Sequence, residues 1–332
     1  MTRNIKEFVN HARPFSGAPF PAEVGEDHVC ILLGLKNGAA TLDEQLDSIA
    51  AQSHADWSLI ISDDGSTDNW LPIASRFAET QAPGQTWVTR GPEKGYAQNF
   101  LHLACHAGPL TPFAAFCDQD DVWLKYKLAR ALSLLKAVPA GKPALYAGRT
   151  MICDDDLRQL RPSLLFRRPP CFANALVQSI GGGNTMVLNR AALDLLQDSA
   201  ARAAGVVSHD WWAYQLITGA GGIVCYDQTP TVLYRQHGQN LIGANDTILA
   251  SLDRMRRVVR GQYRQWNAAN IAALNRARPW LTDEARTTLD HFTQAREGSI
   301  NTRLRALRCS GVSRQRRRGT AALWFAALLN KL

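Results

Sequence analysis

Three carboxylates fall within four residues at Asp118-Gln119-Asp120-Asp121, between the apolar run 112–117 and Val122-Trp123. A short apolar run of this kind reads as a buried strand, which places the acids at the rim of a sheet. Like charges repel there, and each is partly desolvated. A divalent cation relieves both effects. The Asp118-x-Asp120 pair offers hard oxygen ligands suited to Mg²⁺ or Mn²⁺ carrying a substrate phosphate. A plainer role is also open: a solvated acidic turn capping a helix that starts near Trp123, because Asp is a favoured N-cap. A second acidic stretch, Asp63-Asp64-Gly65-Ser66-Thr67-Asp68, ends the apolar run 57–62 in the same way.

The elements that must position these acids are legible upstream. Residues 1–28 read as a loose lead-in, broken by Pro14, Gly17, Pro19, Pro21 and Gly25. The run 29–35 is continuously apolar, as an inner parallel strand is. A turn at Lys36-Asn37-Gly38 leads to a helix over 41–52 with Leu42, Leu46 and Ile49 on one face, Thr41 as N-cap and Glu44 at N3. A third helix-strand unit covers 70–90, and a helix over 95–106 precedes the strand that ends at Asp118. This alternation predicts a Rossmann-like α/β domain with a mostly parallel sheet flanked by helices. In such sheets ligands bind at the carboxyl ends of strands, where Lys36-Asn37, Asp63-Asp64, residues 90–94 and Asp118–Asp121 all fall. No G-x-G-x-x-G follows the first strand and no G-x-x-x-x-G-K-[ST] occurs, so neither a dinucleotide fold nor a P-loop is expected.

The 332 residues are 46% hydrophobic, enough for one large domain with an appendage. The seven cysteines are scattered, without C-x-x-C spacing, which argues against a disulfide framework or zinc site and for a reducing compartment. No apolar leader and no run of about 18 apolar residues is present, so neither a signal peptide nor a membrane span is expected. The net charge of +8 is uneven: residues 251–332 hold 17 Lys/Arg against 5 Asp/Glu, and residues 1–250 hold 20 against 24. The expected parts are a lead-in (1–28), a catalytic α/β domain (29–245) and a basic helical extension (246–332).

Ile61-Ser62-Asp63-Asp64-Gly65-Ser66-Thr67-Asp68 followed by Phe116-Cys117-Asp118-Gln119-Asp120-Asp121-Val122-Trp123 resembles the family 2 glycosyltransferases of the GT-A fold. Within them the chain is similar to the rhamnosyltransferase-like branch, which favours D-Q-D-D-x-W. Further motifs stand in order: Gly95-Tyr96-Ala97-Gln98-Asn99-Phe100, Gly181-Gly182-Gly183-Asn184-Thr185, Ser208-His209-Asp210-Trp211-Trp212 and Tyr234-Arg235-Gln236-His237-Gly238-Gln239-Asn240. The resemblance covers roughly residues 29–243.

The resemblance implies a set of roles. Asp63 and Asp64 would hold the base and ribose, since a carboxylate accepts a pyrimidine N3–H and a ribose hydroxyl; an Asx-turn before Gly65 is the competing role. Leu35, Lys36, Asn37, Lys94, Asn99, Asp118, Gln119 and Arg235 complete the nucleotide-sugar side. Asp118, Asp120 and His237 would bind the divalent cation, and Arg235 would meet the diphosphate as a forked donor. Asp121 is left to cap the next helix. Asp210 aligns with the family's catalytic base, and a carboxylate beside Trp211 and Trp212 should have a raised pKa, as a general base near neutral pH requires; an N-cap is the alternative. Gly183, Asn184, His209, Trp211 and Trp212 fall on the acceptor side. The implied reaction is an inverting, metal-dependent transfer, with rhamnose from dTDP-rhamnose ahead of a UDP-hexose, to a saccharide or lipid-linked acceptor in cell-surface polysaccharide synthesis. Tyr234-Arg235-Gln236-His237-Gly238 replaces the Q-x-x-R-W of processive members, which favours transfer of one or a few sugars.

Two other classes are weighed against this. A nucleotidyltransferase of similar fold needs a Gly-rich, Arg/Lys-containing loop after the first strand, and Lys36-Asn37-Gly38 does not match. A non-catalytic nucleotide-sugar-binding or membrane scaffold would lack the base, and Asp210 is present. The tail joins arginine-rich stretches to the short apolar segment 320–332, a pattern suited to a helix lying on an anionic cytoplasmic membrane surface; a packed subdomain with a solvated basic face is the alternative. The protein is expected in the cytoplasm, at the inner face of the membrane, with no nucleic-acid partner.

Overall fold

The computed structural model describes residues 12–14, 24–108, 110–236 and 262–332. His237, the following Gly238-Gln239-Asn240 and the arginines of 254–260 lie outside the described residues. Strand β2 (Val29–Leu35) shows why the centre forms: all but Gly34 are buried, and alternate side chains feed opposite faces. Ile31 and Leu33 join one core, Cys30 and Leu32 the other. Parallel to β2 run β3 (Trp57–Asp63) on one side and β5 (Phe113–Cys117) on the other, and β4 (Thr86–Arg90) pairs parallel with β3. One face is covered by α1 (Leu42–Ala50), α2 (Leu71–Glu79) and α4 (Lys127–Leu135). The other receives α3 (Tyr96–His106), whose Phe100 ring packs on Gly34 so closely that a Cβ there would come within 2.9 Å of it.

Beyond β5 the sheet changes character. Strand β9 (Val187–Asn189) inserts antiparallel between β5 and β7 (Ala144–Cys153), followed by β10 (Ile223–Arg235) and the two-residue β6 (Val122–Trp123). β8 (Gln159–Pro162) is a hairpin partner of β7. At the far edge β1 (Ala12–Pro14) pairs antiparallel with β4, so part of the expected loose lead-in is a strand. Two local expectations are corrected. Thr41 precedes α1 without a side-chain cap, and Glu44 is bonded by the Arg235 guanidinium instead of closing a capping box. Asp121 is followed by β6 and not by a helix: α4 begins at Lys127, because Val122 and Trp123 pair with β10.

The second half contributes α5 (Phe172–Ala175), α6 (Arg190–Ser199) and α7 (His209–Gly219). The C-terminal region folds into α8 (Gln262–Arg276), α9 (Asp283–Gln294), α10 (Ile300–Ser310) and α11 (Arg317–Leu328). These helices pack into the core that also holds Leu32, Phe116 and Trp212. Buried Arg303 fastens the end of α11 by donating to the carbonyls of Ala327 and Leu328.

Because Phe292 is fully buried in that shared core, Phe292→Ala should cost about 3–5 kcal/mol. Urea unfolding should remain a single transition by both fluorescence and circular dichroism; two separate transitions would mean that the C-terminal helices fold independently.

Candidate active site

The loops after β2 and β3 are laced together by side chains. Gln119 reaches back from the β5 end to bond both the N–H and the C=O of Lys36, at 2.7 and 3.0 Å. Asn37, at φ +53°, accepts from the Thr67 N–H at 2.8 Å, while its own N–H donates to Ser66 Oγ. Lys36 Nζ donates to the Asp64 carbonyl, and Leu35 is buried below it. The two adjacent acids diverge. Asp64 is buried, and its carboxylate accepts the N–H groups of Glu93 and Gly95 at 2.6 and 3.2 Å, holding the loop after β4 in place. Asp63 accepts the Ser66 N–H with Oδ1 only, leaving its other oxygen without a described partner. Asn99 is buried and clasps Ser62 through both ends of its amide. Lys94 is exposed.

At the end of β5 the three acids also take different parts. Asp121 is 1% exposed; it accepts from Asn184 Nδ2 and, at 3.2 Å, from the Arg235 N–H. Burial, and then repulsion from Asp120, push its pKa up to about 7. The Arg235 guanidinium is turned to the carbonyls of Asp120 and Asp155 and to Glu44. The Asp118 carboxylate takes no hydrogen bond from a described residue. Burial and the charges of Asp121, Asp120 and Asp210 raise its pKa well above the usual carboxylate range. Beneath lies Lys127, fully buried, its ammonium 3.5 Å from the Trp123 ring centroid and its pKa lowered by burial to about 7.

Asp118 and Asp210 share a cavity of about 510 Å³, within the range of small-ligand sites. Asp210 sits in the first turn of α7, where its carboxylate accepts from Ser208 Oγ and the Trp211 and Gly183 N–H groups. Those bonds and the helix dipole, worth about 0.3–1 kcal/mol, favour the charged form. Burial outweighs them and raises the pKa to about 6. His209 is 3% exposed and neither ring nitrogen has a partner among the described residues. Burial lowers its pKa to about 3. It stacks on Phe100 at 4.0 Å and meets Phe116 edge-on, acting as a neutral aromatic plate. A Cβ on Gly183 would collide with its Nε2, so the turn that presents the Gly183 N–H to Asp210 rests directly on the ring.

The fold thus gathers Asp118, Gly183, Asn184, His209, Asp210 and Trp211 around one cavity. Trp212 is not among them: it is fully buried in the core, while Trp211 donates to the Ala175 carbonyl and reaches the cavity. Sequence reasoning did not single out Tyr96, Tyr234, Tyr226, Tyr263, Trp266 or Arg314, which also line it. Tyr96 and Tyr234 belong to the sequence motifs at 95–100 and 234–240. The i, i+3 spacing of Tyr263 and Trp266 was the one signal available in the tail.

Among the described residues no three His, Cys, Asp or Glu side chains converge as a preformed metal site. The donor chemistry nevertheless fits a hard cation. The Asp118 carboxylate accepts no hydrogen bond from a described residue, and burial first and then the neighbouring acids raise its pKa, so its hard oxygens are open to a cation.

The model of the family described as Glycosyl transferase family 2 matches residues 30–193. The chain is 29% identical to dTDP-rhamnosyl transferase RfbG of Shigella flexneri over 242 residues, 69% of this chain and 80% of that one. It is 31% identical to the putative glycosyltransferase EpsE of Bacillus subtilis over 108 residues, 32% of this chain and 38% of that one. In fold it is similar to residues 1–349 of TarS from S. aureus, solved with UDP-GlcNAc, at a TM-score of 0.50 and 14% identity, covering 84% of this chain and 79% of that one.

Gly183→Ala should displace the Gly183 N–H from Asp210 and lower transfer by about 10²-fold, the scale of a 1 Å misplacement. His209→Phe should keep the plate and hold activity within a few-fold of wild type. A loss on His209→Phe as large as that of Asp210→Asn would show that the imidazole takes part in the chemistry.

Proposed function

We propose that this chain, which matches the family 2 glycosyltransferases over residues 30–193, transfers rhamnose from dTDP-rhamnose, with inversion, to a hydroxyl of a saccharide or lipid-linked acceptor. The observation that carries this reading is Asp210: a carboxylate with a pKa of about 6, fixed at a helix start in a cavity shared with Asp118. The rhamnosyl donor is supported by the likeness to RfbG across most of that protein.

Asp63 is the contact for the thymine base or ribose, because it alone of its pair keeps a carboxylate oxygen open. Asp118 and Asp120 would hold a divalent cation. When bound, the cation supplies positive charge to the leaving diphosphate. Asp210 takes the proton from the acceptor hydroxyl. That oxygen forms its bond to the anomeric carbon on the face opposite the diphosphate, whose bond to the carbon breaks with the electron pair leaving on the phosphate oxygen. The cavity encloses the reacting hydroxyl, and the Gly183 and Trp211 N–H groups keep the Asp210 carboxylate aimed.

The protein also works against an anionic membrane surface. Helix α11 exposes Phe325 and Leu328, with Leu329 just past its end, and exposed Arg316, Arg317 and Arg318 stand at its start. No helix among the described residues is long and apolar enough to cross a membrane. A short basic-apolar helix suits the interface of an anionic leaflet.

Asp210→Asn should lower transfer by about 10²–10⁴-fold yet keep the thermal shift given by dTDP with Mn²⁺. Wild-type transfer should rise with pH through about 6, as Asp210 loses its proton. The folded carboxyl holds its proton more tightly than the unfolded one near 3.8, so the native state loses stability as pH rises from 3.8 to 6. The Asn variant should therefore gain Tm at pH 7 but not at pH 3.5. Substantial residual transfer would remove Asp210 as the base, and a larger shift with UDP than with dTDP would move the donor.

Phe325→Glu with Leu329→Glu should release the protein from phosphatidylglycerol vesicles in a sedimentation assay. Unchanged sedimentation would refute the membrane contact.

A further inference from the structure

The C-terminal region contributes part of the lining of the Asp210 cavity. Tyr263 and Trp266 of α8 line it, together with Arg314 from the turn between α10 and α11. That turn is fastened to the catalytic half. Gln315 receives the Arg168 N–H at 2.9 Å, returns a bond to the Arg168 carbonyl at 3.0 Å and donates its N–H to Gln178 Oε1 at 3.0 Å. Asn174 Nδ2 donates to the Ser313 carbonyl at 2.8 Å, and the Arg314 N–H donates to Thr320 Oγ1. The backbone of Arg314 is therefore held in place.

Its side chain differs from the other enclosed arginines. Arg235 is bonded to Glu44 and Arg303 to helix-end carbonyls. The Arg314 guanidinium lies 5.8 Å from the Tyr263 ring centroid and has no carboxylate or carbonyl partner among the described residues. Its forked donors remain available on the cavity wall, a geometry that matches carboxylate and phosphate oxygens. Beside it, the Tyr263 and Trp266 rings meet edge-on at 5.3 Å, offering apolar faces and polar tips of the kind a sugar ring can use. The same cavity holds Asp118 and Asp210. An anionic group is repelled by those acids and attracted by the guanidinium.

We propose that Arg314, framed by Tyr263 and Trp266, recognises a phosphate or carboxylate on the acceptor saccharide and so selects the acceptor and its orientation. The proposal rests on the glycosyltransferase reading above. With the charged group held at Arg314, a hydroxyl elsewhere on the acceptor is presented to Asp210, and the reverse pose would set the anion against the acids.

The test is calorimetric titration of the full chain, with the donor site filled by dTDP and Mn²⁺. The probes are N-acetylglucosamine 1-phosphate, glucuronic acid and the neutral methyl glycoside of N-acetylglucosamine. Wild type should bind one charged probe at least ten-fold more tightly than the neutral one, and which one identifies the anion. Arg314→Gln should abolish that preference while leaving the neutral probe and the dTDP shift unchanged. Arg314→Lys should keep part of the preference, and Trp266→Ala should weaken all three probes. Equal binding of charged and neutral probes, no binding of any probe, or a preference that survives Arg314→Gln would overturn the subsite. Absence of dTDP binding in wild type would overturn the donor reading, and this subsite with it.

Discussion

The buried carboxylate of Asp121 ties the two halves of the sheet together. One oxygen accepts from Asn184, in the turn that leads into antiparallel β9, and the other from the backbone of Arg235 at the end of β10. The parallel half ends at β5, whose antiparallel ladder to β9 begins the second half. Asp121 adds a side-chain tie between the halves at the edge where Asp118 and Asp120 also stand. An unpaired charge at that depth would cost several kcal/mol, so Asn184 and Arg235 are held to it as firmly as it is to them. The rise of its pKa to about 7 records how incompletely two neutral donors replace water.

The acids around it form a graded series. Asp64 and Asp121 are bonded on both oxygens to protein groups and act as fasteners. Asp63 is half engaged, and the carboxylate of Asp118 accepts no hydrogen bond from a described residue. Groups left incomplete in this way destabilise the fold locally and are the ones with capacity for a ligand. Asp210 adds a further balance, because its helix position favours the anion and its enclosure favours the acid. The outcome is a group that changes charge just below neutral pH.

The C-terminal helices alter how the basic charge of the tail should be understood. Part of it, in Arg303 and Arg314, faces inward and serves packing or the cavity. Another part, Arg316–Arg318, faces solvent beside exposed apolar residues. A net charge over residues 251–332 averages these two environments. Only the packing of α8–α11 against the shared core separates them.

The sequence by itself determined the strands of the parallel half, the α/β class and the acidic motifs at the strand ends, because apolar runs and turn residues act over a few positions. It also located Asp210 and the carboxylates at 118–121. Tertiary structure decided which acid was engaged. Asp63 and Asp64 are neighbours with the same chemistry, and their difference lies in Glu93 and Gly95, some thirty residues away. It decided that Trp211 reaches the cavity and Trp212 the core, since consecutive side chains on a helix point about 100° apart. It set Arg235 against Glu44, more than a hundred residues earlier, rather than leaving it open at the site. It also brought Tyr263, Trp266 and Arg314 to the wall of the Asp210 cavity. Propensity and periodicity are local, whereas the partner of a buried polar group is chosen by chain segments that meet only when the core closes.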